Sequence, residues 1–296
     1  MTNGVCAIVV TYRIGEDVRR CFESIRGQVQ ETVFVDNGGD RETVDILRDL
    51  DATHDDVTVF YNPENIGIAA AFNIGVRHAL QKRYRWVLTL DHDSEATEGM
   101  VEALIAAHGT LRETGAGKVA LVAAAMIDRN VPDPIRPAPR DQTLQEVTTC
   151  ISSGSLITCA VFAEIGLFNE SLFLYYVDDD FCLRCADGGW KVYACRTARL
   201  LHSEGFRQQR FFLGRPFIYR NYGPSARYYM SRNALYVLKR HVRHGRYCLG
   251  LLRRLGSDAV TTLLFGERRW RLVRAMLKGF WHGLIGAYGR APKLEN

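Results

Sequence analysis

The sequence predicts an α/β fold: a mostly parallel sheet covered by helices on both faces, followed by a helical C-terminal region. Three observations predict it. Short apolar runs of strand length alternate with amphipathic segments of helical period through the first third of the chain. Polar residues collect just after each apolar run, at the strand ends where such sheets bind ligands. From Pro224 onward only helical patterning remains.

The elements follow in order. Residues 5–11, VCAIVVT, form a short buried strand, and 16–29 a helix with Val18, Cys21, Phe22, Ile25 and Val29 on one face. Residues 32–36 are a second strand, closed by the turn DNGGD. Helix 41–50, strand 57–61 and helix 67–81 come next, the last with Ile68, Ala71, Phe72, Val76 and Ala79 inward. Residues 86–90, WVLTL, are a fourth strand. This βαβαβαβ order implies parallel pairing. A helix over about 97–113 and a strand over 119–126 follow. The Pro- and charge-rich segment 128–142 excludes regular structure; a lid and an inert excursion are both open readings. An apolar helix is expected at 160–167. There is no internal repeat.

Composition bounds the function. The chain has 296 residues, 47% hydrophobic and 24% charged, as in an ordinary globular protein. No apolar stretch reaches the ~18 residues of a spanning helix. No leader is visible at the N-terminus, and eight cysteines show no disulfide framework, so a reducing cytoplasm is the expected location. Charge is uneven. Residues 236–296 hold 13 Lys/Arg against 3 Asp/Glu, and the rest of the chain 25 against 30. A basic tail of this kind suits an anionic partner.

The strand ends carry the chemistry. Asp91 and Asp93 stand two residues apart in an extended stretch and so face the same side. Their hard oxygens suit Mg2+ or Mn2+, which bridge carboxylates to phosphates. Asp36 can accept hydrogen bonds from a ribose or a base, or simply close an Asx turn. Asn65 and Gly67 open a helix lined by small residues, which lets a ligand approach backbone and favours anions; close helix–sheet packing is the alternative. In YYVDDDFCLRC, aspartates cap a helix start, and Asp178, the earliest, can serve as general base. Arg184 can pair with a carboxylate. Cys182 and Cys185, with Cys195 and His202, lack the spacing of a zinc knuckle, and the first two fall in a helix, where packing explains them. His202 can instead complete a metal site with the aspartates.

Taken together, VVTYR, VDNGG, NIGIAAAFNIG, LTLDHDS, SSGSLI, IGLFNESLF, YVDDDFCLR and LLHSEG, in this order, resemble the family-2 glycosyltransferases of GT-A fold, and most closely their rhamnosyltransferase branch. The resemblance runs from about Val5 to Asn233. It implies a catalytic domain over 1–222, with a donor half at about 1–127 and an acceptor half at about 143–222, and a basic helical region over 223–296. It implies that Thr11, Tyr12, Arg13 and Asp36 line a base and ribose pocket, with Asn65, Gly67 and Asp91 nearby. Asp91 and Asp93 match the metal-binding Asp-x-Asp motif, with His202 as a further ligand and Mg2+ or Mn2+ as cofactor. Asp178 matches the catalytic base of an inverting displacement. Gly154, Asp179, Arg227 and Arg232 match the acceptor or diphosphate region. The implied donor is dTDP-L-rhamnose, with a UDP-sugar as the alternative. The implied acceptor is a glycan or glycolipid such as lipopolysaccharide.

The chain also departs from the family pattern. Val177 stands where an acidic residue usually precedes the base, and Tyr175 where many rhamnosyltransferases carry Asp, which leaves Asp179 and Asp180 as alternative bases. His92 replaces a common Gln. The basic tail interleaves Arg and Lys with Leu, Val, Phe and Trp, a pattern of helices lying on an anionic membrane, here the inner face of the cytoplasmic membrane. Helices packed on the catalytic domain or in a homodimer are the alternative. A non-catalytic binding module would have lost the carboxylates that this chain keeps. TYRIGED lacks the Gly-rich loop of a nucleotidyltransferase, and no nucleic-acid motif accompanies the basic tail.

Overall fold

The computed structural model describes residues 4–128, 143–202, 207–212 and 214–291. Of the expected lid or excursion at 128–142, Asp128 instead ends a strand and residues 129–142 lie outside the described residues. The chain divides into two compact units, Met1–Asn169 with Asp178–Ser203, and Glu170–Val177 with Glu204–Asn296.

The first unit is built on one sheet. Strands β1 (Val5–Thr11) and β2 (Glu31–Asn37) are buried along their whole length, as expected of strands covered on both faces. β1 pairs in parallel with β2 and with β4 (Trp86–Asp91), and β2 with β3 (Val57–Asn62). Helices α1 (Asp17–Ile25), α2 (Arg41–Thr53) and α3 (Ile68–Gln81) supply the crossovers. Helix α1 stops at Ile25, short of the expected residue 29, because Gly27 turns the chain at φ +80°; Val29 is buried all the same.

Beyond β4 the sheet becomes mixed. β8 (Ser155–Thr158) runs antiparallel between β4 and β6 (Lys118–Asp128). β6 then pairs in parallel with β9 (Trp190–His202), whose far edge takes β5 (Glu95–Ala96) and whose near part takes β7 (Leu144–Val147). Helix α4 (Met100–Glu113) covers this half, and α5 (Cys159–Ile165) and α6 (Val177–Asp187) complete the unit. Cys182 and Cys185 are buried on α6, in keeping with packing.

Register does the positioning. Thr11 is paired with Asp36, Val10 with Asp91, and Asn37 with Asn62, so the polar residues after each apolar run line up along one edge.

The second unit contains the hairpin of β10 (Arg207–Phe212) and β11 (Arg215–Arg220), and helices α7 (Pro224–Arg240), α8 (Gly245–Phe265) and α9 (Arg269–Ile285). α7 and α9 approach closely because Gly279 and Gly283 face the α7 backbone at Tyr228 and Arg232. Tyr228 Oη and His282 Nδ1 lie 2.6 Å apart across this contact. Lys239 Nζ donates to the carbonyls of Gly283 and Leu284 at the end of α9, where a cation also suits the helix dipole.

Candidate active site

The carboxyl edge of β4 turns sharply. Ser94 N–H donates to the Asp91 carbonyl, which folds Asp93 back beside Asp91. The turn is pinned from below by Ser153, whose Oγ accepts from Asp91 N–H at 3.0 Å and lies 2.9 Å from Ser94 Oγ. Ser153 reaches this point because Gly154 adopts φ +77° and donates to Thr89 O. A Cβ on Gly154 would meet Leu200 Cδ2 at 2.9 Å, so the backbone passes where no side chain fits.

β9 delivers His202 to the same place. Its Nδ1 lies 3.3 Å from Asp93 Oδ1 and 3.2 Å from Ser94 Oγ. One ligand atom each from Asp91, Asp93 and His202 lies within 4.8 Å of the others. Burial and the Asp93 charge raise the Asp91 carboxyl, against the pull of His202 and His92. Burial also works to raise Asp93, but the His202 imidazole holds it below the usual range. Two carboxylates and an imidazole this close together suit a divalent cation that prefers oxygen and accepts nitrogen, such as Mn2+ or Mg2+.

The β1 and β2 ends form a second cluster. Asp36 is 2% exposed and its two oxygens accept from Gly39 N–H at 3.1 Å, with Thr11 Oγ1 donating at 3.3 Å. The Asx turn is therefore formed. Burial raises the Asp36 carboxyl against these hydrogen bonds. Asn37 reaches Asn65 Oδ1 and Ile66 N–H, and Asn65 Oδ1 also accepts from Gly67 N–H, which fixes the entry to α3. Gly38, at φ +81°, lets this loop pass within a Cβ radius of its backbone. Outside the cluster, Tyr12 is exposed and the Arg13 guanidinium lies 5.1 Å from its ring centre.

The acidic run divides its labour. Asp180 is fully buried and accepts from Arg184 Nε at 2.8 Å, while Arg184 also binds the carbonyls of Ile165 and Leu167. Asp178 and Asp179 are half-buried. Burial, the Asp179 charge and the Asp91 charge push the Asp178 carboxyl up to about 7, against a hydrogen bond from Asp179 N–H.

Two expected site residues lie in the second unit. Arg227 is buried, donates to Arg220 O and sits 3.6 Å from Asp258. Arg232 is fully buried and binds the carbonyls of Leu172 and Gly289. Both guanidinium groups thus serve internal contacts. Conversely, Ser94 and Ser153 organise the site and were not singled out from sequence. Small hydroxyl residues are common in turns, so only long-range pairing reveals them.

The sequence model of glycosyl transferase family 2 matches residues 6–166, more than half of the chain. The chain belongs to that family. The match ends before Asp178 and His202. Among curated relatives, this glycosyltransferase is 26% identical over 284 residues to the dTDP-rhamnosyl transferase RfbF of Shigella flexneri, covering 91% of this chain and 90% of that protein. It is 26% identical over 229 residues to the low-salt glycan biosynthesis hexosyltransferase Agl10 of Haloferax volcanii, covering 71% of each. It is 27% identical over 261 residues to the galactofuranosyltransferase GlfT1 of Mycobacterium tuberculosis, covering 80% and 83%. Solved GT-A glycosyltransferases share the fold. TarS 1-349 of S. aureus in complex with UDP-GlcNAc superposes with TM-score 0.59 at 16% identity, covering 94% of this chain and 81% of that one. GalNAc-T7 with UDP, GalNAc and Mn2+ superposes with TM-score 0.55 at 16% identity, covering 77% of this chain; the glycosyltransferase spans about half of that chain, 47%.

Proposed function

We propose that this glycosyltransferase moves L-rhamnose from dTDP-L-rhamnose to a hydroxyl of a cell-surface glycan or lipopolysaccharide acceptor, with inversion. The observation that carries the reading is the convergence of Asp91, Asp93 and His202 at the end of β4; the raised proton affinity of Asp178 accords with it. The similarity to RfbF along nearly the whole chain supports the rhamnosyl donor.

In this reading Tyr12 and Arg13 offer the base and diphosphate a flat cationic surface, while Thr11, Asp36, Asn65 and Gly67 shape the floor of the pocket through the turns they fix. Asp91, Asp93 and His202 would hold Mn2+ or Mg2+, which would supply positive charge to the nucleoside diphosphate. Asp178 takes the proton of the acceptor hydroxyl. The oxygen attacks the anomeric carbon from the face opposite the diphosphate, and the carbon–oxygen bond to the diphosphate breaks with its electron pair. A carboxyl near 7 is suited to accept a proton at neutral pH. The Asp180–Arg184 pair leaves Asp178 and Asp179 as candidates, and the raised carboxyl and the hydrogen bond from Asp179 N–H support Asp178 as the base. The donor half is assigned to about 1–127 and the acceptor half to about 143–222.

A thermal-shift panel of nucleoside diphosphates and their sugars, with and without Mn2+, tests the reading. A ligand that binds only the folded state raises the melting temperature. Stabilisation by dTDP-rhamnose, increased by Mn2+ and lost in Asp93→Ala, is expected. Selective stabilisation by UDP would replace the donor. No response to any nucleotide from folded protein would overturn the assignment.

A further inference from the structure

We infer that α9, with α8 beside it in the chain, docks the protein on an anionic lipid surface. α9 buries Leu272, Ala275, Gly279 and Gly283 on one side. On the opposite side Trp270 is 71% exposed, Leu277 64% and Trp281 60%. At 3.6 residues per turn these three fall within roughly 40° of one another. Arg271, Arg274 and Lys278 lie on the adjoining arc, and α9 contains no acidic residue. An exposed apolar stripe flanked by cations, with Trp at its centre, is the pattern of a helix lying in a bilayer interface.

The neighbouring structure agrees. α8 buries only Leu251 and Thr262, and leaves Leu249, Leu252, Val260, Leu263 and Leu264 exposed. Its one acidic residue, Asp258, faces Arg227. At the turn between the two helices, Gly266, Arg268, Arg269, Trp270 and Arg271 line an open depression of about 660 Å³. Three guanidinium groups around one depression suit a phosphate headgroup. No described helix is long and apolar enough to cross a membrane, so the contact is interfacial.

Charge separates this partner from a second copy of the chain. A two-fold contact would place the same patch on both sides. The Arg271, Arg274 and Lys278 arc would then meet its own like charges. An anionic surface meets it with opposite charge.

Flotation of the full chain with lipid vesicles tests the proposal, independently of any sugar transfer. The protein is expected to float with phosphatidylglycerol-containing vesicles, to release as salt rises, and to ignore pure phosphatidylcholine. Replacing Arg271, Arg274 and Lys278 by Gln should weaken binding roughly a hundredfold, since each charge near such a surface contributes about 1 kcal/mol. Trp270→Ser with Trp281→Ser should weaken it by at least about tenfold. These side chains are exposed, so the melting temperature should hold. Absent binding, equal binding to neutral vesicles, or unchanged binding by both variants would overturn the proposal. A concentration-dependent dimer abolished by the Trp substitutions would assign the face to a second copy instead.

Discussion

Replacing Asn233 with Ala removes a side chain that holds several turns of backbone together. Its Nδ2 donates to the carbonyls of Leu172, Leu174 and Tyr175 at 2.7, 2.7 and 3.0 Å, and its Oδ1 accepts from Arg232 Nε at 2.8 Å. The segment it grips is strained. Phe173, Tyr175 and Tyr176 all adopt positive φ, between 60° and 65°, which side chains with a Cβ disfavour. Phe173 is further held by stacking on Tyr229 at 5.1 Å. In Asn233→Ala the Arg232 hydrogen bond is lost, at about 1.5–3 kcal/mol for a charged donor, and the carbonyl bonds are lost at about 1 kcal/mol each. After relaxation, a loss of roughly 3 kcal/mol is expected, or a melting temperature lower by about 6–12 °C. Because Tyr176 lies two residues before Asp178, the proposed base, turnover should also fall by about tenfold while nucleotide-sugar affinity stays unchanged. Thermal denaturation and steady-state kinetics read both effects. A melting temperature for Asn233→Ala within about a degree of wild type would refute the reasoning.

Other expectations follow from the same geometry. If Asp178, with its carboxyl near 7, is the proposed base, turnover at saturating donor should decline as pH falls below about 7, since only the ionised form accepts a proton, and Asp178→Asn should abolish both the limb and most of the rate. Burial works to raise Glu31, but hydrogen bonds from Tyr84, Thr58, Lys82 and His78 outweigh it and lower the carboxyl from 4.5 to about 2. Its stabilisation, on the order of 3 kcal/mol, is therefore complete above about pH 4.5 and lost as pH falls toward 2; urea unfolding of Glu31→Gln across that range should show the dependence flattened. Gly279→Ala should lower the melting temperature by several degrees, because its Cβ would overlap Tyr228 O and force α7 and α9 apart.

The fold class, the early strands and the candidate metal aspartates were all legible in the chain. Apolar period and length depend on local sequence, and a carboxylate pair at a strand end is visible wherever it stands. The ordered motifs carried the family as well. The tertiary structure decided what depends on contacts between distant segments. It brought His202 to Asp93 across 109 residues of chain, because β9 runs beside β6 and ends at the carboxyl edge. It sorted three adjacent aspartates by burial, giving Asp180 to Arg184 and leaving Asp178 and Asp179 half-buried. It showed Asp36 closing a turn, and it drew Arg227 and Arg232 into the second unit, where their donors meet backbone carbonyls. A side chain's identity names what it can bond; burial and distance, set by segments far apart in the sequence, select which of those bonds it makes.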